Sequence, residues 1–263
     1  MRCSGRPLRA DKTRNGRWLM RQHQLLTLDE SILQTEAAQY AQRIDQFLAG
    51  REQSVLSKLI AIGGATEEES YEVQSKVRLA DPSSVIAALK TPGLEILHER
   101  HYHEFDTYFS FADPKQGHLR YREDEYIDKK GQVSNVRYRL TLVGPAREGS
   151  FASDVLLSRS RFIAPATHSL RFYREYFKPA KETIIEKDRR RWRVLFRGTE
   201  FYINLDEVKQ PSLGYFLEIK SRTWSRRDAE HKAVLTRQLI EFLGAIPEET
   251  VSQDYVEIVE ARH

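Results

Sequence analysis

YEVQSKVRL, residues 71–79, alternates with a two-residue period, and its reading decides the fold. Tyr71, Val73, Val77 and Leu79 fall on one side; Glu72, Gln74, Lys76 and Arg78 fall on the other. Successive side chains of a strand point to opposite faces, so the polar set forms one continuous line. Either that line faces water or it points into something that requires charge.

The pattern recurs along the chain. In LRYRED, Arg120 and Arg122 share a face with Asp124, and in VRYRLTLV, Arg137, Arg139 and Thr141 stand opposite Tyr138, Leu140 and Leu142. EKDRRRWRV places Lys187, Arg189, Arg191 and Arg193 on one side, and FLEIKSR sets Glu218, Lys220 and Arg222 against Leu217 and Ile219. An antiparallel sheet with one wet face accounts for alternation alone. The bias to cations argues for more, because solvated faces mix signs and like charges on paired strands repel. Guanidinium groups on adjoining strands suit a polyanion, whose oxygens their planar fork binds in pairs. An eight-stranded closed sheet encloses one small ligand if its charged face turns inward and helices cover the apolar exterior.

The chain has 263 residues, 40% hydrophobic and 30% charged, enough for a sizeable core. No apolar run approaches the ~18 residues of a membrane span. The net charge is +4, and a basic start accounts for more than all of it: Arg2, Arg6, Arg9, Lys12, Arg14, Arg17 and Arg21 against Asp11. Residues 1–28 read as a disordered basic arm, with nucleic acid as its candidate partner. Cys3 is the sole cysteine, so disulfides play no part within the chain and a cytoplasmic location fits.

From Thr27-x-x-Glu30, which has the form of a capping box, helical spacing runs to Leu48. A second piece carries Val55, Leu56, Leu59 and Ile60 before Gly63-Gly64. This helical segment, 29–66, must bury an apolar stripe on the rest of the chain or on a second copy, making residues 29–62 a candidate homo-oligomer contact. Strands are expected at 71–79, 95–111, 118–127, 134–143, 182–197, 200–208 and 214–222. Helices are expected after Asp81-Pro82, over 167–178 and from Ser225 to Gly244. The segment 145–165 reads as loop and DYVEIV as strand.

In order, these stretches resemble the CYTH, or triphosphate tunnel metalloenzyme, superfamily, which includes class IV adenylate cyclases, thiamine triphosphatases and inorganic triphosphatases. YEVQSKV sits where that family has E-x-E-x-K, EFDTYFS resembles D-T-Y-[FY]-D, and LRYRED resembles L-R-x-R. YRLTLVGP resembles L-T-x-K-G-P, IEKDRRRW the K-x-R strand, and LDEVKQPSLGYFLEIK the L-D-x-V…L-G-x-F-x-E-I-E segment. The resemblance implies an α+β fold, an eight-stranded antiparallel tunnel with helices outside, over 67–263. It implies phosphate contacts from Lys76, Arg120, Arg122, Lys187 and Arg189, with Arg139 and Lys220 on the same charged faces. Glu72 and Glu218 would be the remaining metal carboxylates, any catalysis would rest on Glu72, Lys76 and Glu218, and Asp206 would be a supporting acid.

The departures concern the metal. Gln74 replaces the second glutamate of E-x-E-x-K, Lys220 the last of E-I-E, Val143 the lysine of L-T-x-K, and Ser110 the last aspartate of D-T-Y. Magnesium or manganese favours carboxylate and water oxygens, and an ammonium in that place opposes it. The expected function is recognition of a triphosphate-containing ligand (a nucleotide, thiamine triphosphate or inorganic tripolyphosphate), with hydrolysis of weak or altered metal dependence. The competing expectations are a non-catalytic nucleotide or polyphosphate sensor and a binder of RNA 5′-phosphate ends. His101 and His103 share a strand face, which reads as a solvated strand, with metal ligation the lesser alternative. Trp192, Tyr202 and Phe216 read as core or as stacking platforms for a base.

Overall fold

The computed structural model describes residues 34, 37–41, 54–63, 66–67, 71–144, 156–157, 160–223 and 225–262. The chain divides into two units, Met1–Gln53 and Ser54–His263. In the first, residues 34 and 37–41 are helical. The basic arm, the Thr27 capping box and most of the helix expected over 29–48 lie outside the described residues.

Among the described residues, the second unit holds ten strands in one antiparallel sheet. They are β1 (Thr66–Glu67), β2 (Tyr71–Leu79), β3 (Glu95–Ser110), β4 (His118–Ile127), β5 (Val133–Val143), β6 (Leu156–Leu157), β7 (Ser160–Pro165), β8 (Lys181–Phe196), β9 (Thr199–Gln210) and β10 (Gly214–Thr223). Their spatial order is β1-β7-β5-β4-β3-β8-β9-β10-β2-β6. Eight are full strands and two, β1 and β6, are two-residue pieces. The expected loop over 145–165 is therefore corrected in part: 156–157 and 160–165 are strand, because β2 and β5 offer them edges to pair with.

That pairing rolls the sheet. Leu157 pairs with Val73 on β2, whereas Ser160, three residues later, pairs with Val143 on β5. Three residues reach at most roughly 11 Å, so edges that are far apart in the strand order are close in space. Among the described residues the ladder does not run unbroken from β7 to β2, and the barrel is a loose one.

Hydrocarbon covers the outside. Four helices follow from the sequence, α1 (Val55–Gly63), α2 (Ser83–Ala88), α3 (Leu170–Phe177) and α4 (Arg226–Phe242), and a fifth, α5 (Tyr255–Glu260), does not. Val85 and Leu89 from the α2 region and Leu235, Leu239 and Ile240 of α4 pack on Val77, Leu79, Leu217 and Ile219. Val55 and Leu59 of α1 join Tyr173 and Phe177 of α3 over Phe109, Leu119 and Leu140. Val55 and Leu59 of the 55–62 stripe are thus buried within this unit, whereas Ile60 stays exposed. Helix α4 starts where the Ser225 hydroxyl accepts from the Asp228 amide at 3.1 Å and stops at Gly244. Gly244 has φ +73°, and a Cβ there would sit 3.2 Å from Ser84 Cβ. Only glycine adopts that backbone without strain.

DYVEIV forms helix α5, not the expected strand. Its β-branched residues read as strand, but Asp254 and Glu257 make a reciprocal capping box that nucleates a helix. Tyr255, Val256 and Val259 pack with Tyr108, Ile185, Val208 and Phe216. Tyr108 and Phe216 stand in line with the charged inner faces of β3 and β10, so α5 stoppers one end of the tunnel with hydrocarbon.

Candidate functional site

The polar line of YEVQSKVRL points inward. Val73 and Val77 are fully buried outside the wall, while Glu72 lines an internal cavity of about 290 Å3. Every full strand except β3, β7 and β9 contributes a charged side chain to the lining, β3 supplying Tyr108, and the count is eight cations (Arg120, Arg122, Arg139, Lys187, Arg189, Arg191, Lys220 and Arg222) against Glu72, Glu218 and Asp254. Strand β9 adds Tyr202 and β7 adds Ile163.

Part of that cationic charge is already neutralised. The Arg122 guanidinium donates through Nε and Nη2 to the two oxygens of Asp106, each at 2.6 Å, and its Nη1 lies 3.0 Å from Glu104. Lys187 donates to Asp106 at 2.9 Å and lies 3.0 Å from Glu104. Arg189 forks onto Asp206 at 2.6 and 2.5 Å and reaches Glu218 at 3.2 Å. Burial alone would raise the Asp106 pKa, but Arg122, Lys187 and Arg120 outweigh it and hold the carboxyl below its ordinary range. Glu218 is likewise depressed: Lys220, Arg189 and Lys76 overcome its burial. These strands carry acids and bases in register, with Asp106 opposite Arg122 and Glu104 opposite Lys187.

Two guanidinium groups are less committed. Arg120 donates through Nη2 to Thr141 at 3.4 Å, while its Nε, 4.0 Å from Asp106, has no hydrogen-bond partner among the described residues. Arg139 gives one bond to Asp124 at 2.7 Å and leaves its buried Nε similarly unsatisfied. Burial holds the Arg139 pKa below the ordinary guanidinium range, the mark of a cation short of counter-charge. Buried N–H groups without acceptors are costly and rare, and both residues face the cavity.

The metal carboxylates do not fit a divalent ion. Lys220 Nζ lies 3.4 Å from Glu72 Oε1 and 3.4 Å from Glu218 Oε1, so an ammonium already bridges them. Desolvation opposes that charge, yet Glu218 and Glu72 outweigh it and raise the Lys220 pKa. The second Glu218 oxygen accepts from Asn204 at 3.1 Å and from Arg189. At ~4 Å and an effective dielectric of about 20, a unit charge repels another by about 4 kcal/mol and a divalent ion by twice that.

The remaining expected residues divide. Lys76, opposite Glu218 on β2, donates to the Gln253 carbonyl at 3.0 Å and lies 4.1 Å over the Tyr255 ring, outside the lining set. Asp206 is fully buried behind Arg189 and also accepts from the Tyr255 hydroxyl at 2.7 Å. Trp192 and Phe216 are core, whereas Tyr202 lines the cavity. Glu104, Asp124, Asn204 and Tyr255 were not singled out as site residues. The strand alternation pointed to the first three, since Glu104 shares the inner face of Asp106, Asp124 that of Arg122, and Asn204 that of Asp206.

A family model described as the CYTH domain matches residues 70–254. The chain belongs to the CYTH family. Membership supports triphosphate binding or hydrolysis in general, and the family is in general metal-dependent. Among solved structures, a Pyrococcus horikoshii OT3 protein matches with TM-score 0.53 and 16% identity, covering 73% of this chain and 99% of that one. A candidate adenylate cyclase from Vibrio parahaemolyticus matches with TM-score 0.50 and 16% identity, covering 72% and 98%. At such identity these likenesses show the fold. No curated protein matches. Among the described residues, no helix is long and apolar enough to cross a membrane.

Proposed function

We propose that this CYTH chain binds the triphosphate group of a small ligand inside the tunnel, with Arg120 and Arg139 as its first contacts. The reading is supported by their buried Nε–H groups, without acceptors among the described residues, on two side chains that line a cavity made mainly of cations. Phosphate oxygens supply the missing acceptors and counter-charge together. Lys220, Arg191 and Arg222 line the same space from β8 and β10, so a chain of phosphoryl groups meets cations on opposite walls. At about 290 Å3 the cavity lies near the lower limit of small-molecule pockets, roughly 300–1,000 Å3. It suits inorganic tripolyphosphate, or the phosphate tail of a nucleotide or thiamine triphosphate whose organic part extends from the end opposite α5.

The Lys220 bridge favours a second reading alongside hydrolysis. An ammonium supplies positive charge to phosphate oxygens but does not activate water as a metal does. Binding then outlasts turnover, and the tunnel acts as a sensor.

Calorimetry with tripolyphosphate tests the site. The wild-type chain is expected to bind in EDTA within about threefold of its affinity in magnesium. The Arg120→Ala/Arg139→Ala variant is expected to bind at least tenfold more weakly, since charge-assisted hydrogen bonds contribute about 1.5–3 kcal/mol each. Unchanged affinity in that variant rules the proposed contacts out. Phosphate release from tripolyphosphate, ATP and thiamine triphosphate separates hydrolysis from sensing.

A further inference from the structure

The outer face of the same wall carries a group that the tunnel does not use. His101 and His103 stand two residues apart on β3 and point away from Glu104 and Asp106, toward Asp188 on β8. His101 Nε2 lies 2.8 Å from Asp188 Oδ1, and His103 Nε2 lies 3.1 Å from Asp188 Oδ2. One ligand atom from each of the three residues falls within 4.8 Å of the others. On its other side, His103 Nδ1 faces Glu125 Oε2 at 3.7 Å. His103, Glu125 and Asp188 are direct cross-strand partners on β3, β4 and β8, so the sheet register fixes the spacing.

We propose that His101, His103 and Asp188 form a transition-metal site, with zinc as the ion it suits best. Two imidazoles and one carboxylate are a zinc donor set, and three protein ligands leave a fourth position for water. Zinc takes nitrogen and oxygen at about 2.0–2.2 Å, so donors that lie within 4.8 Å of one another share an ion after modest side-chain shifts. Magnesium and calcium prefer all-oxygen shells, which two imidazoles exclude. Glu125 stands a short side-chain shift from hydrogen-bonding His103 Nδ1, which would leave Nε2 for the ion, the orienting role such groups play around bound histidines. The two histidines and Asp188 are 19–39% exposed, so an ion reaches them from solvent without opening the fold. Two cations stand near: Lys209, 3.8 Å from Asp188 and nearly half exposed, can turn outward, and Arg190 is the cross-strand partner of His101.

The site lies on the opposite face of the wall from the tunnel, so zinc binding and triphosphate binding are separable. Full-length protein stripped of metal is titrated with zinc chloride by calorimetry, with magnesium chloride as control. One zinc per chain at micromolar or tighter affinity is expected, with no magnesium binding at this site. His103→Ala/Asp188→Asn should weaken zinc binding at least a hundredfold, and Glu125→Gln by about tenfold to a hundredfold. Tripolyphosphate affinity should stay within twofold in both variants, which reports that each is folded. Zinc binding that persists unchanged in the double variant overturns the proposal, as does failure of the wild-type chain to bind zinc below millimolar concentration.

Discussion

Arg122 and Arg120 stand two residues apart on β4, face the same cavity and do different work. Arg122 is 4% exposed, forks onto Asp106 and pairs by charge with Glu104, both buried acids. Removing one partner of such a network strands the charge of the others, at about 3–5 kcal/mol. Arg122→Ala is therefore expected to lose about that much stability in urea unfolding, whereas Arg120→Ala loses far less and is read instead in ligand affinity. Equal losses for the two would contradict the division. At this scale the cations of the site were legible in the sequence, because alternation shows which face each occupies. Their allegiance was not. Whether a guanidinium is spoken for depends on which acid the neighbouring strand places opposite it, and register is a property of paired strands.

Elements were legible wherever their own periodicity was long enough. The strands from β2 to β10 that exceed six residues all follow from alternation, and α4 follows from its spacing, its Ser225 cap and Gly244. The short pieces were not: β6 has two residues and exists because β2 offers it an edge. Helix α5 had a readable signal, Asp254-x-x-Glu257, that β-branched composition obscured. Helix α4 tests the account of the exterior. Leu239 is fully buried against the outer wall, so Leu239→Ala removes packing where the cavity cannot collapse easily. A loss of about 2–5 kcal/mol is expected in denaturant titration, with tripolyphosphate affinity of the folded fraction unchanged. A matching fall in affinity would mean that α4 shapes the tunnel.

For the whole molecule, the inner layer sets an acid limit. Glu104, Asp106 and Glu218 all have folded-state pKa values lowered below ordinary carboxylates, since nearby Arg and Lys side chains outweigh their burial. A depressed carboxylate contributes stability that is full above the unfolded pKa, about 4.3 for Glu and 3.9 for Asp, and is lost as pH falls toward the folded value. The melting temperature is therefore expected to hold between about pH 5 and 7 and to fall steeply below about 4.5, followed by circular dichroism. A melting temperature at pH 3 equal to that at pH 7 would contradict the inner ion pairs.

The wall of this barrel separates hydrocarbon from paired charge across the thickness of a single strand. Sliding one strand past its neighbour by a residue would carry arginines into the oily layer and leucines among the carboxylates, since each step reverses every side chain. Most soluble sheets that slip merely wet a few apolar groups. Here the misaligned state bears stranded ions on one side and exposed wax on the other, so the pairing tolerates no near miss.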